Sequence, residues 1–411
     1  MDLFKQYRGL RRELYILFIG RIMTNMGAMI WPVFTLILSQ KMGFSAGTIA
    51  IYMLVYTLVA LPMSMIGGKL ADHFNKRNII IICDLISVAG FLYCGFHELT
   101  VKAIVIFSVA GILQSAEGPS YDALVADFTL PEDRERAYSL SYFGNNLGLI
   151  LSPTIGGLLF KSHLNLAFII NGCSILSSTV LIFFFIKDLH RETAPQSPAA
   201  ASYENEIDDK ISGVAYIKEN RVLRLYALAL LFNSVVYSMY TYLMPLDLGL
   251  AHGENGSVIF GSMTSLNGLV VVLFTGFITR YFVRIRDIDK MVVGEGLELL
   301  GYLIFIVFLR NIPLCYVAMT VFTLGEIFNT LGTSPFLSKR IPASHRGRII
   351  ATTSVIASLG SSLLANVVGR SHDIWGMAAA WGIVVALGLA KIGTVTAMKR
   401  YDKADYPKFY E

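Results

Sequence analysis

Charged residues are scarce in this sequence. Aspartate, glutamate, lysine and arginine make up 15% of its 411 residues, whereas hydrophobic residues make up 55%. A water-soluble globular chain carries about 25% charged residues. Most of this chain therefore has no need to face water, which argues against a soluble enzyme, a disordered scaffold and a nucleic-acid-binding protein. The mean hydropathy of +0.59 supports the same conclusion.

Cysteine and nucleotide-binding motifs are also sparse. The four cysteines all lie in apolar runs and form no Cys-x-x-Cys pair, so we expect buried thiols and no metal site. No phosphate-binding Gly-x-x-x-x-Gly-Lys-Ser/Thr loop is present, which argues against an ATP-driven pump. Residues 43–47 match Gly-x-Ser-x-Gly, but they lie in a short loop without the preceding strand that such a nucleophile requires.

Long apolar segments are abundant instead. Twelve of them are long enough to cross a bilayer, which takes about 20 helical residues. They lie near residues 13–38, 48–68, 78–97, 101–125, 138–160, 166–187, 222–247, 257–281, 290–309, 312–337, 348–370 and 374–398. The pattern predicts an all-α membrane protein built from two six-helix halves, residues 1–187 and 222–411. The polar stretch 188–221 is predicted to be a linker with a short helix near 211–219.

Lysine and arginine indicate the orientation of these spans. If the N-terminus is cytoplasmic, 28 of the 34 basic residues, Lys391 included, lie on the cytoplasmic side, and Arg21 remains inside a span. The other five lie outside: Lys41, Lys102, Lys161, Arg310 and Arg370. Because cytoplasmic loops carry an excess of lysine and arginine, both termini are predicted to be cytoplasmic. This bias also explains the net charge of +5 without an acidic partner.

The two halves resemble each other weakly. Residues 131–136 follow the fourth span and the similar residues 342–348 follow the tenth, about 212 positions later. Asp84 in the third span has an acidic counterpart, Glu298, in the ninth. Two six-helix repeats are typical of transporters that rock about a substrate site near the middle of the membrane.

The loop between the second and third spans carries the most specific motif. It reads Gly68-Lys-Leu-Ala-Asp72-His-Phe-Asn-Lys76-Arg77. This resembles the Gly-x-x-x-Asp-Arg/Lys-x-Gly-Arg-Lys/Arg loop of the major facilitator superfamily, although His73 and Asn75 replace the usual basic residue and glycine. The resemblance covers essentially the whole chain and implies that superfamily's fold. It also implies a cytoplasmic latch formed by Gly68, Asp72, Lys76 and Arg77.

A second motif lies in the fifth span. Its key residues are Gly148, Ser152, Pro153, Gly156 and Gly157. The segment is similar to the Gly-Pro-x-x-Gly-Gly signature of the superfamily's drug/proton antiporters, with Ser152 in place of one glycine. Proline bends a helix and glycines allow close packing, so an ordinary kinked helix would also produce such a run.

Glu326 stands out in the tenth span. The segment Thr323-Leu-Gly-Glu326 resembles LmrP-like multidrug/proton antiporters, in which the matching glutamate takes part in proton coupling. Glu326 lies about 20 Å from either membrane face by residue count. A charged carboxylate exposed to lipid at that depth is costly, so Glu326 is expected to face a cavity or be protonated. A structural glutamate bonded across helices is the alternative. Ser141 and Thr241 replace two further acidic residues of that branch.

Other polar residues within spans are weaker candidates. Arg21, Glu117 and Asp122 have similar depths and are predicted either to couple protons or to form a fixed salt bridge. Asp84, Glu295 and Glu298 are predicted to be structural, near Lys76, Arg77 and Lys290. Cavity candidates are Asn25, Asn145, Asn146, Asn233, Tyr237 and Tyr240.

Motifs and resemblance together predict a secondary active transporter that works by alternating access and exports small, largely apolar or amphipathic solutes in exchange for protons. Proton-coupled uptake of a peptide, sugar or siderophore is one alternative. A membrane-embedded sensor or enzyme is another, although no catalytic cluster is found. We expect a monomer in a bacterial cytoplasmic membrane, with a small-molecule substrate, lipid as its surroundings, no nucleic acid partner and no cofactor beyond the coupling proton.

Overall fold

A computed structural model describes residues 7–129, 133–186, 213–282, 284–341 and 343–410. Within these ranges the chain is helical and contains no β-strand. Most of the predicted linker lies outside the described residues, as do Pro131 and Pro342 of the two repeated loops. The end of the linker forms the predicted short helix, at Gly213–Glu219.

Sixteen α-helices are present in the described residues. The first eight are α1 Arg12–Gly27, α2 Ile30–Leu36, α3 Ala46–His73, α4 Lys76–Phe96, α5 Val101–Asp127, α6 Arg134–Leu149, α7 Ser152–Ser162 and α8 Leu164–Phe185. The others are α9 Gly213–Glu219, α10 Arg221–Thr241, α11 Leu243–His252, α12 Asn255–Tyr281, α13 Asp287–Phe308, α14 Ile312–Arg340, α15 Ala343–Trp375 and α16 Met377–Asp405. A π-helical turn, Ile37–Lys41, follows α2, and a 3₁₀ turn, Pro407–Phe409, follows α16.

These helices provide twelve segments long and apolar enough to cross a membrane, which confirms the predicted number. Three spans are interrupted: α1, α2 and the π turn form the first, α6 and α7 the fifth, and α10 and α11 the seventh. The interruption of the fifth span falls at residues 150–151, immediately before the first turn of α7, which contains Pro153. Proline has no backbone N–H to donate, so the predicted bend takes the form of a break.

Several helices begin where a side chain caps them. Thr100 accepts a hydrogen bond from the backbone N–H of Ala103 at the start of α5. Asn311 accepts one from Leu314 at the start of α14. Such caps satisfy N–H groups that the first helical turn leaves unpaired. The two caps are 211 positions apart, so the repeat seen in the sequence extends to the places where equivalent helices start.

The chain divides into two compact units. Unit one comprises residues 1–43, 55–202 and 254–268, and unit two comprises residues 44–54, 203–253 and 269–411. In unit one, α8 packs against both α1 and α4, and α4 packs against α5. In unit two, α16 packs against both α10 and α13, and α13 packs against α14. Each unit therefore has a four-helix core. Arg21, Asp84 and Glu117 lie on the first core, and Glu298 and Glu326 lie on the second.

Apolar side chains cover the outer faces of several spans. Met65 on α3, Phe184 on α8 and Leu273 on α12 are each more than half exposed. Exposed apolar surface of this extent is unfavourable in water, but it suits a hydrocarbon surrounding. The buried polar residues described next are therefore exceptions within a largely apolar protein.

Candidate functional site

A cavity of about 310 Å³ opens among α10, α13 and α14 of unit two. Its lining residues each carry a side-chain oxygen: Asn233, Tyr237, Glu298, Glu326, Asn329, Thr330 and Thr333. Polar groups within a membrane span are costly unless they face water, a ligand or one another. The cavity is therefore a place where a solute or an ion can meet polar groups at depth in the membrane.

Glu326 lies at this cavity, where a cavity-facing carboxylate was expected. Its Oε1 accepts a hydrogen bond of 3.1 Å from the hydroxyl of Tyr237 on α10. The ring of Tyr237 stacks against Phe322, with centroids 6.0 Å apart. The carboxylate thus has a specific donor on one side and an aromatic wall beside it, an arrangement suited to a solute with both polar and apolar parts.

A buried ion cluster adjoins the cavity. Lys391 on α16 donates to Glu298 Oε2 at 2.5 Å and to Asn233 Oδ1 at 2.7 Å. It also pairs with Glu295, and all three ionic side chains are at most 2% exposed. One ammonium faces two carboxylates, so the cluster carries an excess negative charge unless a proton binds. Buried ions are tolerated only when paired and hydrogen-bonded in this way.

Asn329 lies within hydrogen-bond distance of three members of this cluster. Its amide nitrogen lies 3.1 Å from Glu295 Oε1 and 3.3 Å from Glu298 Oε1. It lies 3.2 Å from Asn233 Oδ1 as well. The two amide hydrogens of Asn329 are thus shared among three acceptors. These contacts hold α10, α13 and α14 together beside the cavity.

Two expectations for this region were wrong. Lys391 does not lie at the cytoplasmic edge, because α16 continues to Asp405 and places Lys391 14 residues from either helix end, about 21 Å. Glu295 and Glu298 pair with Lys391 and not with Lys290.

Unit one contains a second polar cluster around Arg21. Its guanidinium carbon lies 3.8 Å from the ring centroid of Tyr121, and a terminal nitrogen lies 3.7 Å from Asp122 Oδ1. The Asp122 side chain is 69% exposed, so this pair is long and well solvated. Among the described residues, no acceptor bonds the buried Nε of Arg21. The predicted Arg21–Asp122 pair therefore exists only as a loose contact.

Asp84 and Glu117 meet in the same cluster. Asp84 is 5% exposed and accepts a 2.7 Å hydrogen bond from Thr179 Oγ1 on α8. The carboxyl groups of Asp84 and Glu117 are also hydrogen-bond partners. Asp84 was expected to take a structural role near Lys76 and Arg77. It is instead paired with a second acid in the interior of unit one.

The remaining cavity candidates have varied surroundings. Asn25 Nδ2 donates to Asn145 Oδ1 and to the Arg21 backbone carbonyl, both at 3.0 Å. Asn233 and Tyr237 line the cavity of unit two. Tyr240 is buried beside Phe322, with ring centroids 5.6 Å apart. Asn146 has a partly buried side chain on α6.

The predicted latch residues lie at the junction of α3 and α4. Lys76 Nζ contacts Asp127 Oδ2 at 2.5 Å, and an Arg77 nitrogen donates to the Phe183 carbonyl at 2.6 Å. Asp72 is exposed. A tight helix approach lies one residue before the motif glycine Gly68. A Cβ at Gly67 would lie 2.0 Å from the Ala116 carbonyl oxygen, whereas a Cβ at Gly68 would lie 3.9 Å from Pro119. The latch function stays a prediction.

The glycines of the fifth span lie at close backbone approaches within unit one. A Cβ at Gly156 would lie 2.3 Å from the Met29 carbonyl oxygen, and one at Gly157 would lie 2.3 Å from that of Ser257. A Cβ at Gly148 would lie 2.6 Å from Asn25. Ser152 is fully buried. The motif thus marks close packing, as its glycine content indicates, and its antiporter meaning stays a prediction.

Some polar contacts were missed by the sequence reasoning altogether. Trp381 Nε1 donates to Asp247 Oδ2 at 2.7 Å, and Asp247 is buried on α11. Asp247 is the last residue of the predicted seventh span, and an acidic residue there is the signal that could have identified it. Asn329 is a polar residue within the predicted tenth span, four positions before Thr333 on one helix face. Within the described residues, no group of three His, Cys, Asp or Glu side chains is arranged to hold a metal ion.

Comparison with known proteins identifies related transporters. Over 372 residues the chain is 23% identical to a Na(+), Li(+), K(+)/H(+) antiporter of Planococcus maritimus. The alignment covers 85% of this chain and 87% of that relative. It is 21% identical to the quinolone resistance protein NorA of Staphylococcus aureus, over 95% of this chain and 96% of that protein. A crystal structure of a POT family transporter with a thioalcohol-conjugated peptide superposes with a TM-score of 0.76 at 14% identity, over 99% of this chain and 98% of the other.

The superfamily itself is matched directly. Residues 16–365 match the Major Facilitator Superfamily, which is most of the chain and includes both polar clusters except Lys391. The relatives are transporters, and twelve spans place the chain in a cell membrane as a multi-pass protein. This chain is therefore a transporter rather than an enzyme, and it belongs to the major facilitator superfamily.

Proposed function

We propose that this chain is a proton-coupled antiporter that exports small amphipathic solutes. The observation that carries the proposal is the half-buried Glu326 at the cavity of unit two, hydrogen-bonded to Tyr237 beside an aromatic wall. A carboxyl group in this position can hold either a proton or the polar end of a solute. Competition between the two for one group is sufficient to couple their movements.

The relatives support export against uptake. One is named as an antiporter and another as a resistance protein, and both match along most of this chain. The solved peptide transporters share the fold at 14% identity, which carries no information about the substrate. A proton that crosses the membrane yields about 2.3 kcal/mol per 100 mV, enough to drive a roughly fifty-fold solute gradient.

A second candidate is the exchange of a monovalent cation for protons. The side-chain oxygens of all the cavity-lining residues favour it, because hard cations take oxygen ligands. The name of the Planococcus relative favours it too. The excess negative charge around Glu295, Glu298 and Lys391 would attract a cation of either kind, organic or inorganic.

The experiment uses the full-length protein in proteoliposomes with an imposed pH gradient. One arm follows accumulation of ethidium as the amphipathic solute, and the other follows accumulation of Na⁺. Ethidium accumulation that collapses when a protonophore removes the gradient supports the proposal. Na⁺ accumulation alone supports the second candidate. Absence of both fluxes, with protein correctly inserted, would contradict proton-coupled transport of either class.

A further inference from the structure

The two halves of the chain contain equivalent polar clusters. Their register is set by the packing of the third and ninth spans. A Cβ at Gly90 would lie 3.2 Å from the Cβ of Ala110, and one at Gly301, 211 positions later, would lie 2.8 Å from the Cβ of Phe322. Ala110 and Phe322 are 212 positions apart. The helix caps Thr100 and Asn311, 211 positions apart, agree with this register to within one residue.

The same offset of 211 or 212 positions relates the residues of one cluster to those of the other. It pairs Asp84 with Glu295, in place of Glu298, and Glu117 with Asn329. It also pairs Thr179 with Lys391 and Arg21 with Asn233. The two clusters also contain equivalent contacts. In unit one Thr179 donates to Asp84, and in unit two Lys391 pairs with Glu295. In the same way, Glu117 bonds Asp84 in unit one, and Asn329 donates to Glu295 in unit two.

The chemistry of the two clusters differs at one contact. In unit two the amide of Asn329 always supplies a hydrogen to the carboxylate of Glu295. In unit one the equivalent residue is an acid, Glu117, and an ionised carboxylate has no hydrogen to donate. The hydrogen bond between Asp84 and Glu117 therefore requires a proton on one of them. Two adjacent carboxylates also resist double ionisation, because their like charges repel each other.

We propose that Asp84 and Glu117 form a proton-binding site in unit one that holds a single shared proton and exchanges it with water during transport. The site rests on the proposed function, to which it adds a second coupling group. Release breaks one carboxyl O–H bond, passes the proton to water and leaves two carboxylates near Arg21. Glu117 is the partly exposed member and so exchanges with water, whereas Asp84 is buried and anchored by Thr179.

The surroundings of the pair are suited to holding one negative charge. Arg21 on α1 supplies one positive charge close to both acids. Cys83 on α4 and Tyr121 on α5 are the neutral titratable neighbours. Asp122 adds a solvated negative charge one turn from Glu117. When the pair holds one proton, it carries a single negative charge, which Arg21 balances. Release of the proton creates a second negative charge, and no other cation among the described residues lies close enough to balance it.

Infrared spectroscopy of the purified, full-length protein tests the pair without any transport measurement. The C=O stretch of protonated carboxyl groups is recorded at neutral pH, where surface carboxyls are ionised. The shared proton gives one such band, and Glu117→Gln and Asp84→Asn are each expected to remove it. Thr179→Val removes the hydrogen bond to Asp84 and should shift that band while retaining it. Glu98→Gln, on an exposed loop, is the matched control and should leave the spectrum unchanged.

The outcomes separate this site from the proposed function. A parental band that persists in Glu117→Gln and does not move in Thr179→Val would overturn the shared proton. In proteoliposomes, Glu117→Gln is expected to reduce the number of protons exchanged per solute, measured from the pH gradient that balances a fixed ethidium gradient. An unchanged ratio would overturn its role in coupling. A protein that shows the band but no proton-driven flux retains the proton site and refutes the antiporter.

Discussion

Lys391 on α16 binds Glu298 on α13 at 2.5 Å, and both side chains are almost completely buried. The pair links the cavity, which Glu298 lines, to the packed interior, which holds Lys391. Glu295 and Asn329 complete the cluster around it. The two buried carboxylates, Glu295 and Glu298, therefore depend on a single cation for their charge balance.

Lys391→Met is expected to destabilise the folded protein by about 3–5 kcal/mol, because it leaves two buried carboxylates without a counter-charge. Thermal unfolding in detergent measures the loss. The loss should be smaller at acidic pH, where protons neutralise the carboxylates, and smaller again when Glu295→Gln and Glu298→Gln are added. A single variant as stable as the parent at alkaline pH would show that the cluster does not depend on Lys391.

Tyr237→Phe removes the hydroxyl that donates to Glu326 and retains the ring that stacks on Phe322. A hydrogen bond to a charged group contributes about 1.5–3 kcal/mol, which is tenfold or more in an equilibrium constant. Because the hydroxyl stabilises the ionised carboxylate, its loss should move the pH profile of transport to higher pH by at least about one unit. Tyr316→Phe, in the first turns of α14, is the control. Coincident profiles for Tyr237→Phe and parent would remove Tyr237 from the coupling step.

A buried ion pair near the end of α16 predicts a stability effect independent of transport. Arg340 donates to Asp402 through two nitrogens, one at 2.6 Å, and the two side chains are 4% and 0% exposed. Tyr410 also donates to Asp402, at 2.7 Å, and burial raises the pKa of Tyr410, so its phenol stays a donor at neutral pH. Asp402→Ala should cost about 3–5 kcal/mol of folding stability.

Asp405 provides the matched control on the same helix. It forms an exposed pair with Arg221, and that hydrogen bond holds the pKa of Asp405 below its ordinary value. Exposed pairs contribute little, so Asp405→Ala should leave the unfolding temperature close to that of the parent. Equal losses in the two variants would contradict the role of burial.

The adjacent glycines near the end of α3 should respond differently to alanine. A methyl group at Gly67 would overlap the Ala116 carbonyl oxygen, whereas one at Gly68 would meet Pro119 at van der Waals distance. Overpacking typically costs about 1–3 kcal/mol. Gly67→Ala should therefore lower the unfolding temperature in detergent, and Gly68→Ala should change it little. A larger loss at Gly68 would place the tight helix contact at the motif glycine after all.

The sequence predicted the twelve spans and identified Glu326 and Tyr237 as polar residues at depth, because an isolated polar residue in an apolar run is conspicuous. It did not predict partners across helices, because these depend on the rotation of each helix about its axis. Asp84 and Glu117 were therefore assigned to different roles. Lys391 was misplaced for another reason: the apolar run fades near residue 398, although the helix continues to Asp405.

The register of the repeat illustrates the same limit. Sequence spacing alone paired Asp84 with Glu298, 214 positions later. The close packing at Gly90 and Gly301 pairs it with Glu295, 211 positions later. An error of three residues moves a side chain by nearly one helical turn, about 4.5 Å along the axis. Only contacts between helices resolve a shift of this size.

Glu326→Gln tests whether Glu326 couples transport to the movement of protons. Glutamine retains the size of the side chain and can still accept a hydrogen bond from Tyr237, but it cannot gain or lose a proton. Ethidium accumulation in proteoliposomes is measured with and without an imposed pH gradient, for this variant, for Glu98→Gln and for the parent. Glu326→Gln is expected to lose gradient-driven accumulation and to keep downhill exchange. Accumulation at the parental level would contradict this expectation.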